Sequence, residues 1–451
     1  MKIFQTLARP FVSFVERYYP DAFIFVIVLS LITFLSALFL TDSTVTSTLL
    51  AWGNGLPMLL KFTAQITIIM VGAHALAHTN PVQKFLTRIG QLPNSANQAY
   101  SLVAFTSGIA SLCAWSFGLV IGAIVARSVA SECAKKSFKI HYPLLVASAY
   151  SGFVIWHMGF SSSAALFVAT PGHLLEDRVG IIPVTETILS STNIVMALMA
   201  LAIITIICPL MRPKDKDIIE FTPNTIDNID NSALDNQSEL TLIEKFENHR
   251  ALNIFLGLAL VSYIVVTYTQ NGFSLNLNIV SWTFLAFGLI LAASPMHFIK
   301  LINNAAATVG PIILQYPFYS GIMGMMATTG LMKVITDWII SISTPDTLGF
   351  FAFLSGGLVN MFIPSGGGQW AVQGPIMIEA ALSLNVNPSV VVLGVAYGDQ
   401  WSNMIQPFWT IPILAIAGLH MRQILGYTFV IFIMTGFLYG GGMLYMGSGN
   451  I

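Results

Sequence analysis

The segment YGDQWSN, Tyr397 to Asn403, places an acid within a long apolar stretch. A carboxylate there is costly to bury and usually faces a cavity, so Asp399 is read as the carrier of a coupling proton or the ligand of a coupling cation. Asn403 and Gln406 continue one face at helical spacing, with Pro407 and Pro412 able to break the helix. A second polar interruption, WHMGFSSSAAL at 156–166, offers Gly159 and the hydroxyls of Ser161, Ser162 and Ser163 to Na⁺ or to a carboxylate. His157 beside it is a candidate proton carrier, the commoner role being that of a hydrogen-bonded structural histidine. A third, FIPSGGGQWAVQGPIM at 362–377, contains Gly366, Gly367 and Gly368, which let a ligand approach main-chain N–H groups, with Gly367 expected at positive φ. Ser365, Gln369 and Gln373 add neutral hydrogen-bonding groups, and close helix packing is the plainer use of the glycines.

Trp115, Trp156, Trp370 and Trp401 flank these interruptions, and the first two are expected to wall an apolar pocket, interfacial anchoring being the alternative for each. The ion-coupling set is Asp399, Asn403, Ser116 and His157, with a Na⁺ site expected near Ser163 and Asn403. The sequence leaves Na⁺ and H⁺ open.

The elements that must hold these groups are membrane helices. Of 451 residues, 55% are hydrophobic and 9% charged, and the mean hydropathy is +0.77. Apolar runs at about 23–40, 58–78, 143–170, 188–210, 251–269, 278–295, 306–330, 389–418 and 423–445 are suited to crossing a bilayer. A net charge of −1 supplies no basic stripe for nucleic acid. Cys113, Cys133 and Cys208 show neither disulfide nor zinc spacing, and there is no nucleophile elbow, HExxH helix or P-loop. No catalytic residue is assigned. Lys2, Arg9 and Arg17 place an amphipathic N-terminus on the cytoplasmic side, and Lys84 with Arg88 marks the first return.

Basic residues flank 101–126 on both sides, so this segment, interrupted by Gly108, Ser116 and Gly118, is expected to enter and leave by one face as a re-entrant hairpin. No Lys or Arg occurs between Lys333 and Arg422, and a second hairpin is expected at 347–386, entering from outside. The hydrophilic stretch 211–250 reads as a flexible cytoplasmic linker between an N-terminal repeat, 1–210, and a C-terminal part, 251–451, made of one extra helix and the second repeat. AFTSG at 104–108 recurs as AFLSG at 352–356, and Gly118 stands to Gly366 at the same offset. The expected fold is therefore an all-α polytopic membrane protein of two inverted-topology repeats, each with a re-entrant hairpin and a broken transmembrane helix.

FIPSGGGQWAVQGPIMIEAA, GVAYGDQWSNMIQPFWTIPILAIAGL (394–419), SFGLVIGAIVAR (116–127) and HMGFSSSAAL (157–166) resemble the bacterial short-chain fatty acid transporter family, of the acetoacetate and butyrate uptake type. The resemblance implies a secondary carrier of the ion transporter superfamily in the bacterial inner membrane, with paired hairpins and coupling to Na⁺ or H⁺. The expected partners are a small monocarboxylate and the lipid bilayer, with no nucleic acid; a homodimer is left open. The rival substrates are larger anions, such as dicarboxylates or acylated amino acids. An intramembrane enzyme or a channel is disfavoured, because neither a catalytic constellation nor a continuous polar pore is visible.

Overall fold

The computed structural model describes residues 22–136, 138–221, 241–306, 309–406 and 408–449, with the backbone alone of Ala22, Ile411, Pro412, Ala415 and Ile416. The expected N-terminal amphipathic helix and Pro407 lie outside these residues. Among the described residues the chain is all-helical. Among the described residues, seven helices are long and apolar enough to cross a membrane, or eight if Gly310–Thr329 and Leu331–Ile342, bent by 82°, form one span. That bend falls at Gly330, whose φ of 84° favours glycine and which closes the apolar run at 306–330. The spans Phe23–Leu40 and Leu242–Asn271 are only 17% and 11% buried, leaving most of their apolar side chains for lipid.

Nine helices form the centre. The first hairpin is α1 (Ala96–Cys113) and α2 (Trp115–Lys135), followed by α3 (Tyr142–Ser151), a 3₁₀ segment (Gly152–Met158) and α4 (Ser163–Val168). In the second half, α5 (Gly310–Thr329) precedes a hairpin of α6 (Leu348–Asn360) and α7 (Gly366–Ser383), then α8 (Pro388–Ser402) and α9 (Thr410–Ala417). The run at 389–418 is thus interrupted after Ser402, and that at 143–170 around Gly159 to Ser162.

The first hairpin turns at Ala114, in extended conformation (φ −159°, ψ 141°), and not at the glycines and serine expected to break it. Gly118 faces Ser111 of the opposite arm, and Gly108 lies where a Cβ would come 2.6 Å from the Leu201 side chain. Both lie within helices, where a missing side chain permits close approach. At the open end of this hairpin, Lys136 donates to the carbonyls of Gln91 (2.6 Å) and Pro93 (2.8 Å), so the chain enters and leaves at one face.

The broken helices cross antiparallel. The start of α3 lies at the open end of the first hairpin, where the Tyr100 hydroxyl accepts from His141 N (2.7 Å), and beside the end of α9, where the Tyr142 hydroxyl donates to Ala417 O (3.2 Å). The loop after α4 reaches the opposite face. There Arg178 clamps Glu379 of α7 with two bonds of 2.7 and 2.6 Å, and Ser389 at the start of α8 donates to Glu186 (3.2 Å). The Glu379 carboxylate holds the exposed Arg178 guanidinium above its ordinary pKa through this hydrogen bonding. These contacts put the open ends of the two hairpins on opposite faces.

Within each half, the first hairpin arm runs parallel to the broken helix at glycine contact. A Cβ on Gly152 would come 2.5 Å from Gly108 N, and one on Gly398 would come 2.5 Å from Gly357 N and meet Phe353 O still closer. The AFTSG and AFLSG repeats supply the receiving surfaces. The described ends of the linker, 211–221 and 241–250, make local contacts. Tyr142 N donates to Ile219 O (2.8 Å), Phe221 packs on Tyr142 with ring centroids 4.8 Å apart, and Thr241 with Glu244 caps a helix at Leu242–Glu247.

Because backbone receives the new methyl, Gly398→Ala is expected to destabilise the protein by about 1–3 kcal/mol, the usual cost of overpacking. Thermal unfolding in detergent measures it, and an unchanged midpoint would mean that α6 and α8 separate easily.

Candidate substrate and ion site

The two interruptions and the second hairpin tip meet at one depth. His157, in the 3₁₀ segment before the first interruption, donates its backbone N–H to Gln400 Oε1 (2.9 Å), and its ring nitrogen Nε2 lies 3.7 Å from Asp399 Oδ1. Its Nδ1 is 3.1 Å from Ser162 Oγ. From the other side, a Cβ on Gly366 would fall 2.5 Å from His157 Nε2 and 2.6 Å from the Trp156 ring. His157 and Asp399, each 1% exposed, are thus brought together from opposite halves of the chain.

Asn360, at the end of α6, organises the second interruption. Its Nδ2 lies within hydrogen-bond distance of Asp399 O (3.0 Å), Ser402 Oγ (2.9 Å) and Asn403 Oδ1 (2.7 Å), while its own carbonyl accepts from Gln406 (2.8 Å). Asn403 Nδ2 donates to Asp399 Oδ1 (3.4 Å), and the Tyr150 hydroxyl of α3 donates to Asn403 O (2.8 Å). Asn403 therefore serves as a spacer between Asn360 and Asp399, with both ends of its carboxamide bonded.

At the hairpin tips, helix starts face inward. Ser161 Oγ accepts from Trp115 N (2.9 Å), joining the first interruption to the tip of its own hairpin, and Ser365 Oγ accepts from Gly368 N (3.4 Å) while donating to the Tyr316 hydroxyl of α5 (3.0 Å). Gly366, Gly367 and Gly368 form the first turn of α7, and none has positive φ, contrary to the expectation for Gly367. Their missing side chains leave room for rings: a Cβ on Gly367 would come 2.5 Å from the Tyr316 hydroxyl and 2.7 Å from Phe62, and one on Gly368 would come 2.6 Å from Tyr319.

Gln369 and Gln373 chiefly tie the second hairpin together: Gln369 donates to Gly356 O (2.8 Å) and to Gln373 Oε1 (3.0 Å), and Gln373 donates to Ser355 (2.9 Å). Ser163 opens α4, and Ser116 lies buried in the first turn of α2. Trp115 packs edge-on against Trp409 (4.9 Å), and Trp156 stacks on Phe153 (5.8 Å), lining one side of the first interruption with aromatic surface. Trp401 points away, stacked on Phe432 at 4.1 Å. Trp370 is wholly buried on α7 against Gly374.

Asn360, Gln400 and Tyr316 were not singled out by sequence reasoning. Gln400 adjoins Asp399 in the motif itself, and Asn360 is a lone amide just before the hairpin tip, so both carried a signal. Tyr316 is brought in from another helix by tertiary packing alone. Several buried polar atoms at this centre have no hydrogen-bond partner: Asp399 Oδ2, His157 Nε2, Gln400 Nε2, Asn360 Oδ1 and Gln369 Oε1. Unmade hydrogen bonds at such depth are costly, and a group entering the centre can satisfy them.

Residues 3–446 match the family described as short chain fatty acid transporter. The chain belongs to that family. It is 37% identical over 433 residues to a protein of Escherichia coli (strain K12), covering 96% of this chain and 98% of its relative. It is also 37% identical over 449 residues to one of Haemophilus influenzae, covering 98% and 99%. Both relatives are provisionally named short-chain fatty acid transporters. In fold, this family member is similar to the Alcanivorax borkumensis YdaH transporter, whose crystal structure is described as having an unusual topology. The TM-score is 0.55 at 13% identity, covering 95% of this chain and 98% of the other.

Removing the amide of Asn360 strips Asp399 O, Ser402 and Asn403 of a shared donor. Asn360→Ala is expected to cost about 2–4 kcal/mol, since each buried group left unpaired costs roughly 1–3 kcal/mol. A midpoint in chemical or thermal unfolding close to wild type would show that water replaces the amide. Gly366→Ala pushes a methyl into His157 and Trp156, and it is expected to leave membrane insertion intact while weakening substrate binding by about tenfold or more. Wild-type affinity in the inserted variant would place the site elsewhere.

Proposed function

We propose that this transporter imports small monocarboxylates of the acetoacetate and butyrate kind, coupled to a cation gradient, through the centre formed by Asp399, His157, the Ser161–Ser163 interruption and the Ser365–Gly368 tip. The observation that carries the proposal is the meeting of two interrupted helices and two hairpin tips around buried polar atoms that no group among the described residues satisfies. In transporters built of broken helices, substrate and coupling ion are held at such a meeting, where half-helix N-termini attract a carboxylate and freed oxygens attract a cation. Trp115 and Trp156, with Phe153 and Trp409, give the short alkyl tail an apolar surface.

Neither 140–177 nor 334–421 contains a lysine or arginine. A single carboxylate is held there by main-chain N–H groups, hydroxyls and amides, an arrangement suited to a weakly bound solute that must be released. A dicarboxylate would bring a second charge without a cationic partner, which favours the monocarboxylate over the larger anions. The open end of the first hairpin, near Lys135, Lys136 and Lys139, is assigned to the cytoplasm by the excess of basic residues, and the clamp of Arg178 and Glu379 to the outer face of the bacterial inner membrane. The opposed hairpin openings and the antiparallel broken helices support two inverted repeats, and with them alternating access.

Proteoliposomes preloaded with unlabelled butyrate and diluted into labelled butyrate are expected to accumulate label transiently by counterflow. Excess acetoacetate should compete, and excess succinate should not. Counterflow equal to that of empty liposomes, or succinate competing as well as acetoacetate, would defeat the assignment.

A further inference from the structure

We propose that the coupling ion is a proton, held jointly by Asp399 and His157 across the seam between the two halves of the chain. The inference rests on the monocarboxylate reading above and names its driving ion. His157 Nδ1 is engaged with Ser162 Oγ at 3.1 Å, while Nε2 faces Asp399 Oδ1 at 3.7 Å and has no hydrogen-bond partner. Asp399 Oδ2 is likewise unpartnered. In the tautomer whose Nδ1–H donates to Ser162 Oγ, Nε2 is a bare acceptor opposite a carboxylate that is also an acceptor; one proton between them turns the opposition into a hydrogen bond, whichever atom carries it.

The charge count reaches the same result. With Asp399 ionised and His157 neutral the pair carries one negative charge, and with one added proton it carries none. Two buried anions without a cation are strongly disfavoured, so a substrate carboxylate enters this centre together with the proton. Transport of one monocarboxylate with one proton is electroneutral.

Among the described residues, no other charged group near the pair performs this compensation. On the elements packed against α8 and the 3₁₀ segment, the ionisable side chains include Glu379, Arg422, Arg127, Glu132 and Lys135. Glu379 is clamped by Arg178 and Glu132 is paired with Lys135, and none of the five makes a hydrogen bond or ion pair with Asp399 or His157. The phenols of these surroundings are engaged elsewhere: Tyr316 with Ser365, Tyr150 with Asn403 O, Tyr397 with Asn193, and Tyr439 with Val154 O. A sodium ion fits less well, because hard cations take oxygen ligands and here one face of the gap is an imidazole nitrogen.

The test is calorimetric titration of butyrate into the detergent-solubilised protein, in sodium-free buffers of differing ionisation heat. The dependence of the observed heat on the buffer is expected to report about one proton taken up per butyrate bound, with affinity falling about tenfold per pH unit once the pair has lost its proton. Sodium should change neither quantity. Asp399→Asn and His157→Gln, each checked for folding by thermal unfolding, are expected to bind with no proton uptake and a flat pH profile. Binding by the wild type without proton uptake, binding that requires sodium, or full proton uptake in Asp399→Asn overturns the proton assignment and leaves the monocarboxylate reading standing. If butyrate, acetoacetate and propionate all give no binding heat, the monocarboxylate reading fails and this inference falls with it.

Discussion

A helix interrupted at bilayer depth exposes backbone and side-chain polar groups that lipid cannot satisfy, so the protein must supply every partner itself. Much of the centre follows from that requirement. Gln400 receives the His157 N–H across the seam, Asn360 gathers the end of α8, Ser161 takes the N–H at the first hairpin tip and Ser365 that of the second. Each contact closes a break in one element with a side chain from another, or from the residue that begins the next helix. The two breaks are consequently held at one depth, and five buried polar atoms between them are still without partners.

The fold was legible in the sequence to the extent that hydrophobicity and charge record it. Long apolar runs mark spans, and the basic residues on both sides of 101–126 disclosed a hairpin whose open end Lys136 indeed ties together. The residues that meet at the candidate centre were legible where a residue type is costly in its setting: an acid in an apolar helix, a serine run, a glycine run before a Gln-Trp pair. What could not be read was register. The first hairpin turns at Ala114, an ordinary residue whose extended backbone is set by its neighbours, while the nearby glycines serve packing. Tyr316 approaches Ser365 and Gly367 from a helix that nothing local connects to them. Likewise, the pairing of His157 with Asp399 depends on the antiparallel crossing of two distant segments.

Glycine has two uses here that sequence does not separate. At Gly330 the left-handed backbone itself makes the bend. At Gly366 to Gly368 the backbone is helical, and the missing Cβ matters because His157, Tyr316 and Tyr319 occupy the space. The second use makes the hairpin tip a surface shaped by rings from other helices, so its form depends on where those rings stand.

The glycine-mediated contact of α6 with α8 has a mechanical consequence. A Cβ on Gly394 would lie 2.8 Å from both Ala352 Cβ and Gly349 O, and Gly398 fits more tightly still against the far end of the same arm. Two helices seated this closely have no freedom to slide past one another, since each step of travel drives side chains into backbone. The arm and the broken helix are therefore coupled like the two halves of a dovetail joint. Any displacement of the second hairpin carries Asp399 with it, so motion and charge at the centre share one lever.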